Sequence, residues 1–233
     1  MTTLDRMDAG LRALHLLEGR RMAQHLFAHV IGTQVIRPGR SEEEVDNRIA
    51  LIARDVFGVR AGRVARRFVR SESSAAPSGP WSERVIGAQD LVVVDFESLV
   101  APYETGFART VAVGDGRSRR RLVQDLALVA SGARAAFRAD GSLTGCELHG
   151  RIRDLAAKLG RGLGGRHCGR LTGAAPEVRT EVTRPEEFIG PDNDRPLRRT
   201  LREGRQAHWI LRIQLVDERC GHSAVHTELL DLD

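Results

Sequence analysis

The stretch DLVVVDFESLVAPYETGFARTVAVG, residues 90–114, decides the fold of this chain. Leu91 to Val100 and Ala108 to Gly114 are rich in β-branched residues, which favour the pleated conformation of a strand. The segment APYETGF between them contains a proline and a glycine and is typical of a longer turn. The pattern predicts two paired strands joined by that turn.

Helices are predicted on both sides of this strand pair. Apolar residues recur at helical spacing from Leu4 to Val30, which predicts a long first helix. Ser41 with Glu44, and Thr144 with Glu147, have the spacing of a capping box, in which side chain and backbone satisfy each other at the start of a helix. The remaining predicted helices are Ser41 to about Phe57, about Arg119 to Phe137, and the segment ELHGRIRDLAAKLG after Thr144.

Two more strands are predicted near the C-terminus. HWILRIQLVD and SAVHTELLDL are separated by a turn at ERCGH. The order of elements is therefore two helices, two strands, two helices and two strands. This order predicts an α+β fold with an antiparallel sheet and two related halves, although no sequence repeat is visible. No linker divides the chain, and we expect one domain over residues 1–233. The stretch from Arg70 to Trp81 is predicted to be a loop.

Composition indicates a soluble globular protein. The chain has 233 residues, of which 41% are hydrophobic and 29% charged. No apolar run reaches the length of a membrane span. The N-terminal residues lack the layout of a secretory signal, and we expect a cytoplasmic protein with no membrane partner.

The charge and the cysteines exclude some function classes. The net charge is +5, and Lys158 is the one lysine among 36 basic residues. Because arginine is spread along the whole chain among 31 acids, we expect no nucleic-acid partner. The three cysteines form no CxxC pair, which argues against a zinc finger or a disulfide framework. Cys168 is the cysteine of most interest because of its loop.

That loop is GGRHCGRLTGAAPE, residues 164–177. Its glycines are typical of a backbone that approaches a ligand closely. The position that the glycines frame is Arg170, which binds no metal and stays protonated in proteins. The loop therefore predicts a site with an arginine at its centre.

Several segments together resemble the pita-bread family of methionine aminopeptidases, proline-specific peptidases and creatinases. The stretch DLVVVDFESLVAPYETGFARTVAVG resembles the hairpin of that family, and HCGRLTGAAPE its Gly-His-Leu-x-Gly…Pro-His loop. LREGRQAHWILRIQLVD and CGHSAVHTELLDL resemble the two strands that each carry a glutamate, and IRPGRSEEEV the first helix-helix turn. The match covers about residues 10 to 233 in order. The resemblance implies the pita-bread fold and the family's short single-domain form.

The resemblance also implies where metal ligands would lie. The family holds two divalent ions with two Asp, one His and two Glu, and the ions activate a water. Carried over one at a time, these positions fall in this chain at Asp95, Gly106, Arg170, Arg212 and Thr227. One ligand in five is retained, and two positions carry arginine. We expect no metal and no other cofactor here, because arginines at these positions repel cations.

Three further positions bear on the site. Glu228 matches the second Glu only with a one-residue slip, which would turn its side chain to the other face of the sheet. The family's catalytic His after the loop proline falls on Glu177, and its upstream His on Ala65. Strand alternation places Asp95 and Glu97 on one face. The predicted catalytic residues are Asp95, Glu97 and Glu177, and the predicted substrate-binding residues are Arg170, Arg212, Tyr103, Thr227 and His167.

Three functions are open at this point. Arginine forks recognise carboxylates or phosphates, so the site could belong to a metal-independent enzyme that acts on an anionic small molecule. One of the carboxylates would then be the base for proton transfer, elimination, isomerisation or C–N hydrolysis. Alternatively, the same charges plug the emptied metal site of a binding or scaffold module. A residual metal-dependent aminopeptidase is the third. A homodimer is expected by family analogy alone.

Overall fold

The computed structural model describes residues 3–58, 68–71, 84–97, 106–172, 184–201 and 204–232. Its four helices are α1 (Thr3–Gly32), α2 (Glu42–Phe57), α3 (Arg117–Ala139) and α4 (Gly145–Lys158). Its seven strands are β1 (Val69–Ser71), β2 (Asp90–Asp95), β3 (Ala108–Val113), β4 (Gly162–Leu163), β5 (Gly169–Leu171), β6 (Trp209–Asp217) and β7 (His222–Leu229). A short 3₁₀ turn covers Pro185–Glu187.

Both predicted capping boxes begin helices. In α2 the Glu44 amide donates to the Ser41 hydroxyl at 3.1 Å, and the Ser41 amide donates back to the Glu44 carboxylate at 2.8 Å. The side chain of Thr144 and the carboxylate of Glu147 make the same reciprocal pair at α4. Each box satisfies amides that have no partner inside the helix, which is why both helices start where the sequence predicts.

All seven strands form one antiparallel sheet. Its order is β1-β2-β3-β7-β6-β4, and β5 also pairs with β6. The two predicted strand pairs are its centre: β2 pairs with β3 over six residues, and β6 with β7 over eight. The two pairs join where β3 meets β7 at Ala108 and Thr227. The α+β class with an antiparallel sheet is therefore confirmed.

Two separate hydrophobic clusters support the sheet. One joins α1 and α2 to β1, β2 and β3, with Leu26, Ile49 and Val94 among its fully buried members. The other joins α3 and α4 to β6 and β7, with Leu122 and Trp209 fully buried. Each cluster is built mainly from one helix-helix-strand-strand half of the chain, although Leu91 of β2 belongs to the second cluster. The two halves predicted from the order of elements therefore have largely separate cores on a shared sheet.

The short strands are where sequence reasoning fell short. Arg70 lies in β1, although the prediction begins a loop there; most of that loop lies outside the described residues. The strands β4 and β5 have two and three residues, too few for an alternating pattern. Strand β2 ends at Asp95, five residues before the predicted end, and residues 98–105 lie outside the described part of the chain.

None of the helices that the structure describes combines the length and the apolar composition that crossing a bilayer requires.

Candidate functional site

Four strands place one residue each in a row across the centre of the sheet. Asp95 of β2 lies opposite Ala108 of β3, which lies opposite Thr227 of β7, and Thr227 lies opposite Arg212 of β6. Directly opposed residues in a sheet point to the same face. Asp95, Thr227 and Arg212 therefore share one face, which we call the site face.

Arg170 belongs to the same face. It lies in β5 opposite Ile210 of β6. Ile210 precedes Arg212 by two residues, and residues two apart in a strand point to the same side. The resemblance-based positions Asp95, Arg170, Arg212 and Thr227 are thus brought together by strand register.

Arg212 is held loosely. Its guanidinium donates a hydrogen bond to the Thr227 hydroxyl at 3.1 Å. Its distance to the Asp95 carboxylate is 3.6 Å, which is within an ion pair but beyond a hydrogen bond. The Arg212 side chain remains 41% exposed and that of Asp95 31% exposed. Donor groups of Arg212 therefore remain accessible from outside.

Arg170 is held closely. Its guanidinium makes an ion pair and a hydrogen bond with the Glu97 carboxylate. The two side chains are 14% and 24% exposed, less than those of Arg212 and Asp95. This pair closes one part of the site face with charges that already satisfy each other.

Glu97 reaches this position by a route other than strand alternation. Strand β2 ends at Asp95, and the Glu97 amide donates to the Asp95 carboxylate at 2.9 Å. Such a contact is an Asx-type turn, which folds the chain back after the strand. The sequence-based grouping of Asp95 with Glu97 matches their positions, but its physical reason is this turn.

The Asp95 carboxyl group has an altered affinity for protons. Burial raises its pKa above the ordinary value of 3.8, and the nearby Glu97 carboxylate raises it further. Arg212 acts in the opposite direction but does not cancel the effect of burial. A carboxyl with a raised pKa beside an accessible guanidinium is suited to giving and taking a proton near an anion.

Gly106, at the second Asp position of the resemblance, has little space for a side chain. Its φ is +54°, a left-handed conformation that side chains disfavour. A Cβ atom there would lie 3.2 Å from Leu229 Cγ and 3.3 Å from Ile210 Cγ1. Both of these residues are buried, so they have little freedom to move away. The local backbone therefore fits glycine and not a ligand residue.

The register settles the alternative for Glu228. Glu228 lies opposite Leu211, one residue out of step with the pair of Thr227 and Arg212. It points to the opposite face, where it receives two hydrogen bonds from Arg134 of α3 and lies 3.7 Å from Arg109. We call Glu228, Arg134, Arg109 and His226 the rear cluster. Glu228 is thus not a residue of the site face.

The rear cluster has a buried carboxylate at its centre. Glu228 is 2% exposed, whereas Arg134 and Arg109 are 30% and 22% exposed. Burial and the neighbouring Arg134 and Arg20 lower the pKa of Arg109 to about 10. Burial together with Arg109 and Arg134 lowers the pKa of His226 to about 3, although its Nε2 lies 3.2 Å from Glu228. The Glu228 charge is already met by two arginines, so it does not favour a proton on His226.

Two residues of the glycine-rich loop lie apart from these groups. The ring of His167 stacks on Phe188 at 4.6 Å, and burial lowers its pKa, with Arg166, Asp192 and His149 as its charged neighbours. Its place in substrate binding stays a prediction. Cys168 is buried in the core of α3 and α4, and burial raises the pKa of its thiol to about 12. A thiol in that state is a packing residue and not a nucleophile.

Three positions singled out in the sequence fall outside the described residues. They are Ala65, Tyr103 and Glu177.

Sequence reasoning missed one close polar pair on the site face. His208 Nδ1 lies 2.6 Å from Asp231, whose other oxygen accepts the Trp209 amide at 2.8 Å. Asp231 thereby fixes the chain after β7 against the start of β6. No sequence pattern links residues 23 positions apart in this way. Ile210 and Leu229 are fully buried between this pair and the row of Arg212, with Leu16 packed on them.

A metal centre needs several His, Cys, Asp or Glu side chains that converge on the ion. Among residues 3–58, 68–71, 84–97, 106–172, 184–201 and 204–232, no three His, Cys, Asp or Glu side chains come together as such a centre needs. On the site face the positively charged groups are the arginines themselves.

Comparison with known proteins agrees with this geometry at the level of the family. Residues 15–206 match metallopeptidase family M24. The chain belongs to this family. Over 127 residues it is 28% identical to an Xaa-Pro dipeptidase of Pyrococcus furiosus, a match that covers 54% of the chain and 36% of the dipeptidase. The M24 chain described here thus spans little more than a third of that relative.

Solved structures show the same fold. An X-Pro aminopeptidase from Thermotoga maritima superimposes with a TM-score of 0.67 at 20% identity, over 91% of this chain and 55% of that one. A methionine aminopeptidase from Rickettsia prowazekii gives 0.59 at 11% identity, over 98% and 92%. The N-terminal domain of the FACT complex subunit SPT16 from chickpea gives 0.58 at 10% identity, over 98% and 55%. The pita-bread fold expected from the resemblance is confirmed.

Proposed function

We propose that this M24 protein is a metal-independent enzyme that binds an anionic small molecule on the site face. Arg212 is the anchor for the anion, and Asp95 is the group that gives or takes a proton. Arg170, paired with Glu97, forms the wall of the site. Proton transfer is the step shared by the elimination, isomerisation and C–N hydrolysis reactions that such a site could perform.

The donor set supports independence from metal. A dinuclear centre needs oxygen and imidazole ligands that converge on two cations. Of the five positions where the resemblance puts ligands, only Asp95 carries a carboxylate, and Gly106 disfavours one through its positive φ and its close neighbours. Arg170 and Arg212 bring positive charge to the space that cations would take, and like charges repel. The residues present do not fit the family's metal pair.

The observation that carries the proposal is the loose contact between Arg212 and Asp95. At 3.6 Å with half-exposed side chains, the pair leaves guanidinium N–H groups free to bind a carboxylate or phosphate in a forked geometry. The raised pKa of Asp95 means that its proton is exchangeable closer to neutral pH than that of an ordinary aspartate. Arg212 as the anchor and Asp95 as the proton carrier are then neighbours in the same row of residues across the sheet.

A second candidate is favoured by a different contact. The close pair of Arg170 and Glu97 is what an emptied site filled by internal charges would contain. In that case the protein is a non-catalytic binding or scaffold module that keeps the M24 fold.

Ligand binding distinguishes these candidates. A thermal-shift panel of small carboxylates, amino acids, guanidino compounds and phosphates is run on the wild type, Arg212→Ala and Arg212→Lys. A ligand at about a hundred times its dissociation constant stabilises the folded state by about 2.7 kcal/mol. We expect an anion that shifts the wild type, shifts Arg212→Lys less and leaves Arg212→Ala unchanged, because lysine keeps the charge without the fork. Asp95→Asn should retain this binding.

The control is Arg153→Ala, which removes an exposed arginine of α4 that pairs with Asp154. It should respond like the wild type. A panel without any shift, together with strong destabilisation of Arg170→Ala, would favour the binding module. Stabilisation by manganese or cobalt that is lost in Asp95→Asn would overturn independence from metal.

A further inference from the structure

The turn between α1 and α2 is fixed to the rest of the fold by backbone hydrogen bonds. The Gly39 amide donates to the Ile86 carbonyl at 3.0 Å, and the Ile86 amide donates to the Arg40 carbonyl at 2.8 Å. The Glu42 amide donates to the Arg84 carbonyl at 2.8 Å. Gly39 has a φ of +85°, which lets the chain reverse into this position. The turn is therefore a rigid part of the surface.

A cleft of about 560 Å³ opens over this turn. Its lining residues are Arg37, Gly39, Arg40, Glu44 and Arg48. The volume lies within the range of about 300–1,000 Å³ that is typical of small-molecule sites. The polar groups of this lining are almost all cationic, which restricts the kind of ligand that suits it.

The charges of the cleft are unbalanced. Three arginines face one carboxylate, that of Glu44, which already accepts the Ser41 amide in the capping box. Arg40 donates to the Val35 carbonyl at 3.1 Å, which holds its side chain across the turn. Arg48 also acts on Asp55 from a distance, and Asp55 is hydrogen-bonded to Arg54. Within the described residues no carboxylate makes an ion pair with Arg37, Arg40 or Arg48.

We propose that this cleft is a second anion site, separate from the site face, which binds a small molecule carrying one or more phosphate groups. Phosphate oxygens accept several N–H groups at once, and converging arginines match this geometry better than any neutral ligand. The proposal does not depend on the reaction proposed for Arg212.

Titration with inorganic pyrophosphate tests this site. Binding is followed by calorimetry and by backbone amide shifts in NMR at about physiological salt, without divalent metal. We expect saturable binding with shifts centred on Gly39 and Arg40. Arg37→Ala and Arg48→Ala should each weaken binding about tenfold or more, and the double variant should abolish it. Arg37 is exposed on the turn and Arg48 is exposed on α2, and the melting temperature of each variant confirms that it is folded.

Matched variants keep the two sites apart. Arg153→Ala removes one positive charge from α4 and should bind pyrophosphate like the wild type. Arg212→Ala should also bind like the wild type, so failure of the site-face proposal leaves this one standing. Equal binding by wild type and the double variant would overturn the proposal. So would weakening by Arg153→Ala as large as that by Arg48→Ala, which would indicate general surface charge. Tighter binding of a short DNA duplex through the same arginines would replace the small molecule with a nucleic acid.

Discussion

The two faces of the sheet at β7 carry charged groups of similar composition in opposite states. Thr227 lies on the site face in the same row as Arg212 and Asp95. The next residue, Glu228, lies in the rear cluster. Asp95 is 31% exposed and meets its arginine at 3.6 Å. Glu228 is 2% exposed and has two hydrogen bonds from Arg134.

This difference separates charges that hold the fold from charges that remain available. A buried carboxylate engaged by two arginines cannot leave them without leaving net charge in a medium of low dielectric. A partly exposed pair keeps water as an alternative partner, so its arginine can change to a ligand at small cost. The rear cluster is thus structural, and the site face is where exchange of partners is feasible.

Glu228→Gln should have the largest effect. It removes the buried carboxylate that Arg134 and Arg109 engage. Loss of one partner of a buried ion pair costs about 3–5 kcal/mol of unfolding free energy, and we expect the lower end here because the two arginines are 30% and 22% exposed. Urea unfolding at pH 7 measures it. Asp95→Asn on the site face is the comparison and should change the unfolding free energy by about 1 kcal/mol or less, because its pair with Arg212 is partly exposed. Equal losses for the two variants would remove the distinction between the faces.

The rear cluster should also make the protein sensitive to acid through His226. Its pKa is lowered to about 3 in the folded state from an ordinary value of 6.5. Between these values the unfolded chain binds more protons than the folded one, so stability is fully present above pH 6.5 and is lost as the pH falls. The loss is up to about 1.4 kcal/mol for each pH unit. Between pH 6.5 and 4, His226→Gln should lose less unfolding free energy than the wild type, as measured by urea unfolding. Parallel plots of unfolding free energy against pH for the two proteins would contradict this.

Gly106→Asp tests whether the site face can accept a metal ligand at this position. The backbone must keep a φ of +54°, and the new Cβ atom would lie 3.2 Å from Leu229 Cγ. We therefore expect the unfolding free energy to fall by about 1–3 kcal/mol. Gly141→Ala, with no atom within 4 Å of its added Cβ, is the control and should change stability little. A Gly106→Asp protein as stable as the wild type, and further stabilised by manganese, would show that the site accepts metal ligands again.

Asp95 should give the smallest effect, with a pH dependence opposite to that of His226. Its pKa is raised above 3.8 in the folded state, so the folded protein binds more protons than the unfolded chain just above that value. Stability from this group is therefore present at low pH and falls as the pH rises through the raised pKa. The unfolding free energy of Asp95→Asn should therefore rise relative to that of the wild type as the pH increases from about 4. A constant difference between the two proteins over this range would show that the Asp95 pKa is not raised.

The sequence predicted most of the regular structure because its signals there are local. The capping boxes at Ser41 and Thr144 and the β-branched runs of β2, β3, β6 and β7 each act within a few residues. The short strands β1, β4 and β5 were missed, since two or three residues carry no period. Strand alternation grouped Asp95 with Glu97 for the wrong reason, because the chain turns after Asp95.

The candidate site was predicted in part. Its positions at Asp95, Arg170, Arg212 and Thr227 followed from resemblance, and the strand register brings them together. The contacts among them did not follow, because an arginine side chain has many rotamers and its partner depends on what lies nearby in space. The cleft at Arg37 and Arg48 likewise joins a turn and a helix face, which a linear pattern does not link.

By itself, the sequence of this M24 protein determined the order of its helices and strands, since these depend on residue identity and local spacing. It also gave the prediction, through resemblance, that four of five ligand positions are replaced. The tertiary structure alone decided which arginine meets which acid, and that Glu228 lies behind the sheet. It also decided that Gly106 has little room for a side chain, and that Arg212 is more accessible than Arg170. Burial and distance set these outcomes, and both arise only when strands distant in the chain are packed side by side.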